Sequence, residues 1–256
     1  MEKNGIDSFA LRPLYRYLRV ADVADALDGI GYFGKGLMDP SVRPLWHGMR
    51  FWGPALTVRC VPANRPMWKL ETTEEILNAH GIWYRKVGNL TFNHLIRPGH
   101  VIVTDSGGSG EVGFWGSCNS LGVIADGAVG IVTDGYCRDT AELSLQRTPI
   151  CSRGRARTII PGRIEIAEVQ ARIGCGGVQV RPGDMVGADD DGVIVVPLEV
   201  AEEVAMHARA ILLADMRARR SLYERLNIPL DETVNFPAVE AYYKEVDEAW
   251  KRTKQS

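Results

Sequence analysis

The sequence predicts an α/β fold built on a parallel βαβ unit, and three observations predict it. Two Val/Ile-rich runs, Val101 to Thr104 and Gly130 to Thr133, each lead into an aspartate, Asp105 and Asp134. A glycine-rich loop and about one helix's worth of residues lie between them. The tract from 149 to 186 then carries closely spaced strand and turn signals. Two strands joined through a helix at this spacing run parallel, with a right-handed crossover. Both therefore end at one sheet edge, which gathers Asp105, the 106–117 loop and the 134–139 segment. In open α/β sheets that edge is where ligands bind.

In chain order, residues 20–27 have helical apolar spacing with Asp22 near the start, and Gly29 and Gly31 stop the helix. Residues 53–61 read as a strand. The 62–98 segment holds a short helical stretch near 73–78. An aromatic, basic run follows, with Trp83, Tyr84, Arg85 and Lys86 forming either a lid or a cover for the core. Residues 181–184 and 189–192 are turns, the second feeding a strand at 193–196. Beyond 198, Val200, Val204, Ala208, Ile211, Met216, Leu222 and Leu226 fall near one helical stripe. Asn227 and Pro229 end it, and a shorter amphipathic helix is expected at 237–252. The expected organisation is an α/β domain over 1–197 and a helical extension over 198–256. That extension packs on the core or on a neighbouring subunit.

Composition narrows the function classes. A chain of 256 residues buries one large core. Its 45% hydrophobic and 24% charged content is ordinary for a soluble protein. A net charge of −2 gives no reason to expect nucleic acid or an anionic membrane. No apolar run approaches the length of a membrane span, and the N-terminal segment has no signal-peptide pattern. Cys60, Cys118, Cys137, Cys151 and Cys175 are widely spaced and form no CxxC pair. That usage suits a reducing cytoplasm and argues against a disulfide framework or a zinc site. The histidines show no HxxxH or HExxH spacing, which argues against a zinc hydrolase.

Three features could carry chemistry. Gly108, Gly110 and Gly113 match GxGxxG, and Asp134 follows Gly113 at a distance near that of a ribose-binding acid. This dinucleotide reading is weakened because Asp105, Ser106 and Gly107 intervene after the strand. Phe114, Trp115 and Gly116 also push the helix start to about Ser117. The second feature is that helix start, where the amides of Gly116, Ser117, Cys118 and Asn119 favour a carboxylate or phosphate, or are simply capped. The third is Arg138 followed by Asp139. Arg138 offers a fork for a carboxylate, and Asp139 offers a hard oxygen for a divalent cation. The Asp189–Asp191 run lacks the spacing of a calcium loop and reads as a hairpin turn.

These residues resemble the RraA-like family. Gly-Tyr-Cys-Arg-Asp at 135–139 follows an apolar strand, with Gly116 lying 22 residues before Arg138. Supporting pieces occur in order at 25–27, 53–58, 97–105, 181–184 and 189–197. The family includes 4-hydroxy-4-methyl-2-oxoglutarate/4-carboxy-4-hydroxy-2-oxoadipate aldolases and the RraA regulators that inhibit RNase E by protein contact. The resemblance implies a swivelling β/β/α domain, here with a C-terminal helical extension, assembled as homotrimers or hexamers with sites between subunits. It implies Mg²⁺ or Mn²⁺ on Asp139, Arg138 against a pyruvate moiety, and its carboxylate on the Gly116–Asn119 amides. The implied activity is a metal-dependent lyase that cleaves or decarboxylates a 2-keto acid. One departure stands out. The family's aldolases carry an acid after the glycine matching Gly116, and here the residue is Ser117. Glu111, or Asp215 of the partner subunit, is expected to supply that carboxylate. The alternatives are an RraA-type protein binder and, behind it, a dinucleotide enzyme using the 108–113 loop.

Overall fold

The structure is a computed structural model that describes residues 7–87 and 91–254. The chain opens with α1 (Ser8–Leu11) and α2 (Val20–Gly29), then β1 (Arg43–Pro44) and the long strand β2 (Phe51–Pro62). The 62–98 segment forms two short helices, α3 (Thr73–Leu77) and α4 (Ala79–Val87). The βαβ unit follows as β3 (Val101–Asp105), β4 (Gly113–Trp115), α5 (Ser117–Ala125) and β5 (Gly130–Cys137). After α6 (Thr140–Leu145) come β6 (Ile150–Arg155), β7 (Ile164–Val169), β8 (Ile173–Cys175) and β9 (Val178–Val180). The hairpin β10 (Met185–Asp189) and β11 (Gly192–Val196) precedes the closing helices α7 (Ala201–Leu226) and α8 (Phe236–Thr253).

The main sheet has the order β1-β6-β5-β3-β2-β10-β11, with β4 added to β5 and β7 to β2. Its centre is parallel: β2 with β3, β3 with β5, and β5 with β6. The flanks are antiparallel. Two features differ from the sequence expectation. Strand β5 does not stop at Asp134 but runs on to Cys137, because β4 rises out of the glycine loop and pairs with Tyr136 and Cys137. The register of β5 against β6 slips between Thr133 and Tyr136, so the overhang carries its own pairing to Gly154 and Arg155. The helical stripe of α7 is also shorter than its pattern. Val204, Ala208, Leu212 and Met216 are buried, whereas Leu222 is 49% and Leu226 66% exposed. A helix of 26 residues outruns the ten-residue α2 beneath it, since each residue adds only about 1.5 Å.

Three apolar clusters hold these layers together. One joins Leu11, Leu14, Tyr15 and α2 to Trp52, α7 and the α8 residues Val239 and Tyr243, so the C-terminal helices share the core of the N-terminal segment. A second fills the α5 side of the sheet around Leu56, Ile102, Trp115 and Ile131. The third lies on the opposite side, around Phe51, Val103, Val132 and Val195. Trp83 of α4 is fully buried and stacks on Trp68 at 5.9 Å, with Lys86 over the Trp68 ring. The side chains of Tyr84 and Arg85, and residues 1–6 of the N-terminal segment, lie outside the described residues. No helix among the described residues is long and apolar enough to cross a membrane.

His100, at the entry to β3, is 5% exposed, accepts the Arg97 N–H at Nδ1 (2.9 Å) and meets the Phe9 ring edge-on at 4.7 Å. Burial first, and then the Arg97 guanidinium, push its pKa down to about 4. The unfolded chain, with an imidazole near 6.5, therefore binds the proton more readily than the folded one. The contribution of His100 to stability is fully present above about pH 6.5 and is lost as the pH falls toward 4. Urea midpoints measured across that window should fall less steeply in His100→Asn than in the wild type; parallel slopes would contradict this assignment.

Candidate functional site

The carboxyl edge of the parallel strands brings together Gly116, Ser117, Arg138 and Asp139. Helix α5 begins at Ser117 behind an extended Gly116 (φ −130°, ψ 175°) that offers no side-chain cap. The reason for glycine at 116 is space. A Cβ there would stand 2.7 Å from Asp139 Oδ2 and 3.2 Å from Arg138 Cγ. Gly113 makes the same allowance one strand earlier, where a Cβ would meet Arg138 Cγ at 2.9 Å. The Arg138 amide donates to Trp115 O (2.8 Å), which locks the end of β5 to the end of β4.

Asp139 sits at the N-cap of α6 in the left-handed region (φ 55°, ψ 41°). That turn aims its carboxylate back at α5. Oδ2 accepts the Ser117 N–H at 3.1 Å and the Ser117 hydroxyl at 3.3 Å, and Oδ1 accepts Arg138 Nε at 3.2 Å. Burial works against the ionised form. The Ser117 amide and the Arg138 guanidinium outweigh it and hold the Asp139 pKa below the usual carboxylate value. One of the amides expected to face a ligand is thus already engaged by Asp139. Cys118 and Asn119 remain exposed on the first turn of α5. Side-chain exposures of 35% for Arg138 and 32% for Asp139 leave both within reach of a small molecule.

The other sequence candidates are placed as follows. Glu111 is clamped by Arg157, whose backbone N–H and Nε both donate to Oε1 at 2.8 Å while Nη2 donates to Oε2 at 2.8 Å. That pairing pulls its pKa down to about 2. Asp215 on α7 accepts Arg19 Nη2 at 2.8 Å, and Arg19 also grips Asp22 at the start of α2. Within the chain Asp215 therefore belongs to the helical layer. Cys137 is buried against Ser152, and burial raises its pKa. The glycine loop turns on Gly107 and Gly108, both at positive φ. It is pinned to the strand ends, with the Ser106 N–H donating to Asp134 Oδ1 at 2.9 Å and the Gly107 N–H to Asp105 Oδ1 at 2.8 Å. Gly113 lies in β4, so the GxGxxG glycines do not open a helix as a pyrophosphate site requires.

His80 carries no role in the sequence analysis. Helix α4 brings it close enough to Arg138 to feel its charge. Burial and then Arg138 hold the His80 pKa below that of a free imidazole. Nothing in the spacing around His80 signals this, because the partner lies far along the chain.

The left-handed turn at Asp139 yields a stability test. Asn tolerates this backbone region, whereas a β-branched residue there costs roughly 1–2 kcal/mol. Asp139→Asn should keep near-wild-type thermal stability, and Asp139→Val should lose about 1–2 kcal/mol in denaturant titration. Equal losses in the two variants would show that the backbone conformation is not what Asp139 is selected for.

Comparison with known proteins places this geometry in a family. The Aldolase/RraA profile, described as RraA-like, matches residues 20–195. Protein DlpA of Legionella pneumophila is 28% identical over 224 residues, which cover 86% of this chain and 33% of DlpA. The chain thus spans about a third of that relative's length. A protein of Halalkalibacterium halodurans named "Putative 4-hydroxy-4-methyl-2-oxoglutarate aldolase" is 28% identical over 214 residues, 83% of this chain and 88% of its own. The solved structure of Streptomyces coelicolor RraAS2 is titled an unusual member of the RNase ES inhibitor RraA protein family. It matches with a TM-score of 0.66 at 25% identity, over 85% of this chain and 99% of that one. The matched span runs from the start of α2 into β11 and holds Gly116, Arg138 and Asp139, and the chain belongs to the Aldolase/RraA family.

Proposed function

We propose that the chain is a divalent-metal-dependent carbon–carbon lyase that cleaves or decarboxylates a 2-keto acid through a pyruvate-type enolate. The observation that carries this reading is the convergence of Arg138, Asp139 and the first turn of α5, with Asp139 Oδ2 3.1 Å from the Ser117 amide. The family relatives named as aldolases support the reaction class.

The donor set suits a hard cation. Among the described residues no group of three or more His, Cys, Asp or Glu side chains gathers around one point, so Asp139 is the single metal-ligating carboxylate in the proposal. Mg²⁺ and Mn²⁺ accept that arrangement, because they take one or two carboxylates and keep several waters. When bound, the ion supplies Lewis-acid polarisation of the keto oxygen. The chain's own residues do the rest. Arg138 forks the substrate carboxylate and opposes the negative charge that builds as the bond to C3 breaks. The exposed amide end at Cys118 and Asn119 orients the same carboxylate. Gly116 and Gly113 keep the floor of the site clear of side chains. Either Glu111 or Asp215 of the partner subunit was expected to replace the acid missing at Ser117. Glu111, held by Arg157, suits an anchor of the 106–117 loop better than a proton carrier. Asp215 of the partner subunit keeps the role of that missing acid in this proposal, which places the site between subunits of a homotrimer or hexamer.

A second reading is favoured by the likeness to RraAS2: an RraA-type regulator that acts by protein contact. One assay separates the two. Pyruvate release from oxaloacetate and from 4-hydroxy-4-methyl-2-oxoglutarate, coupled to lactate dehydrogenase, should require Mg²⁺ or Mn²⁺ and stop with EDTA. Arg138→Ala and Asp139→Asn should each lower kcat by about 100-fold or more. No turnover with either metal on either substrate would reject the lyase and favour the regulator.

A further inference from the structure

A concave surface lies at the other end of the sheet. Strands β2 and β3 run parallel with Ala55 opposite Val101. Phe51, Trp52 and Pro98 therefore mark the amino ends of the strands, while Arg138 follows the carboxyl end of β5. Around them Phe9, Arg12, Arg16, Arg50 and Tyr242 complete a cleft of about 410 Å³. Among the described residues the lining carries three guanidinium groups and no acidic side chain.

What distinguishes Arg12 and Arg16 is how they are held. Arg19, Arg209 and Arg217 in the same helical layer each reach a carboxylate. Arg12 instead donates Nε to Trp52 O at 2.9 Å. Arg16 lies over the Tyr242 and Tyr17 rings at 5.2 and 5.7 Å. Those contacts fix the planes without neutralising the charge. Nearby Arg97, over the Phe9 ring at 4.0 Å, adds to the positive field. Asp189 feels Arg50 but is buried, its oxygens accepting the Val20 and Asp191 amides. Guanidinium groups fixed without a carboxylate partner, as Arg12 and Arg16 are, match phosphate and carboxylate oxygens two at a time. The cleft volume falls in the range of small-molecule sites, about 300–1,000 Å³.

We propose that this cleft binds a small oxyanion of two or more negative charges, an organic phosphate or a di- or tricarboxylate, at a site separate from Arg138 and Asp139. Its walls come from the N-terminal segment, the start of β2 and α8. An occupant therefore ties the two ends of the chain together and stabilises the fold by linkage.

The test is calorimetric titration and thermal unfolding of the full chain with pyrophosphate and, separately, citrate, at constant ionic strength set with chloride. The expected result is saturable binding with a rise in Tm, and the tighter of the two probes identifies the phosphate or carboxylate source. Arg16→Ala/Arg50→Ala should weaken binding by about tenfold or more, Arg16→Lys by less, and Arg138→Ala not at all. Arg50 is exposed, so Arg50→Ala alone gives a folded control with weakened binding. Absence of saturable binding by both probes overturns the proposal. So does binding unchanged in the double variant, or binding lost in Arg138→Ala. None of these readouts depends on lyase activity.

Discussion

Strand β2 is the member on which the other layers hang. Its twelve residues pair with β3 in parallel and with β10 and β7 in antiparallel sense, so one backbone ladder joins three parts of the chain. Its side chains enter all three apolar clusters. Trp52 serves the helical layer, Leu56, Val58 and Cys60 the α5 side, and Phe51 and Ala55 the opposite side. The close fit at its start shows how little slack there is. Phe51 covers Gly130 and Trp52 covers Gly187, where an added Cβ would approach the rings to 2.4 and 2.1 Å. The Trp52 indole donates to Leu18 O at 2.9 Å, which fixes the N-terminal segment against the sheet. Packing of this density transmits position rather than absorbing it. The loops at both ends of the sheet inherit their places from it.

At the carboxyl edge those places converge on one turn. The left-handed Asp139 reverses the chain after β5 and hands its carboxylate to Ser117, while Arg138 returns an amide to Trp115. Two loops separated by about twenty residues in sequence are thereby closed on each other by one backbone hydrogen bond and by the Ser117 amide donating to the Asp139 carboxylate. A charged pair that is adjacent in sequence becomes a shared floor and wall. The glycines at 113 and 116 supply the volume into which Arg138 folds.

Much of this was legible in the chain, for local reasons. The parallel unit follows from Val/Ile runs at fixed spacing, and the α5 start follows from the bulky residues before Ser117. The hairpin at 189–192 and both C-terminal helices follow from turn chemistry and apolar period. What escaped depends on distant partners. The overhang of β5 past Asp134 exists because β4 pairs with it, and nothing in residues 113–115 alone separates a three-residue strand from a loop. Glu111 reads as a spare carboxylate until Arg157, 46 residues away, is seen to hold it. His80 gains its surroundings from Arg138, and the arginine cleft is assembled from four segments that share no motif.

The placement of the cysteines has an optical consequence. Cys60, Cys137, Cys151 and Cys175 are buried, and burial raises each thiol pKa, that of Cys60 to about 12. A thiolate is the reactive form, so those four are shielded both sterically and chemically. Cys118 alone is exposed, on the first turn of α5 beside Ser117. The wild-type chain therefore presents one address for a maleimide dye or a fluorinated tag, next to the floor formed by Arg138 and Asp139. Events at that floor can be followed in solution without engineering the other thiols away.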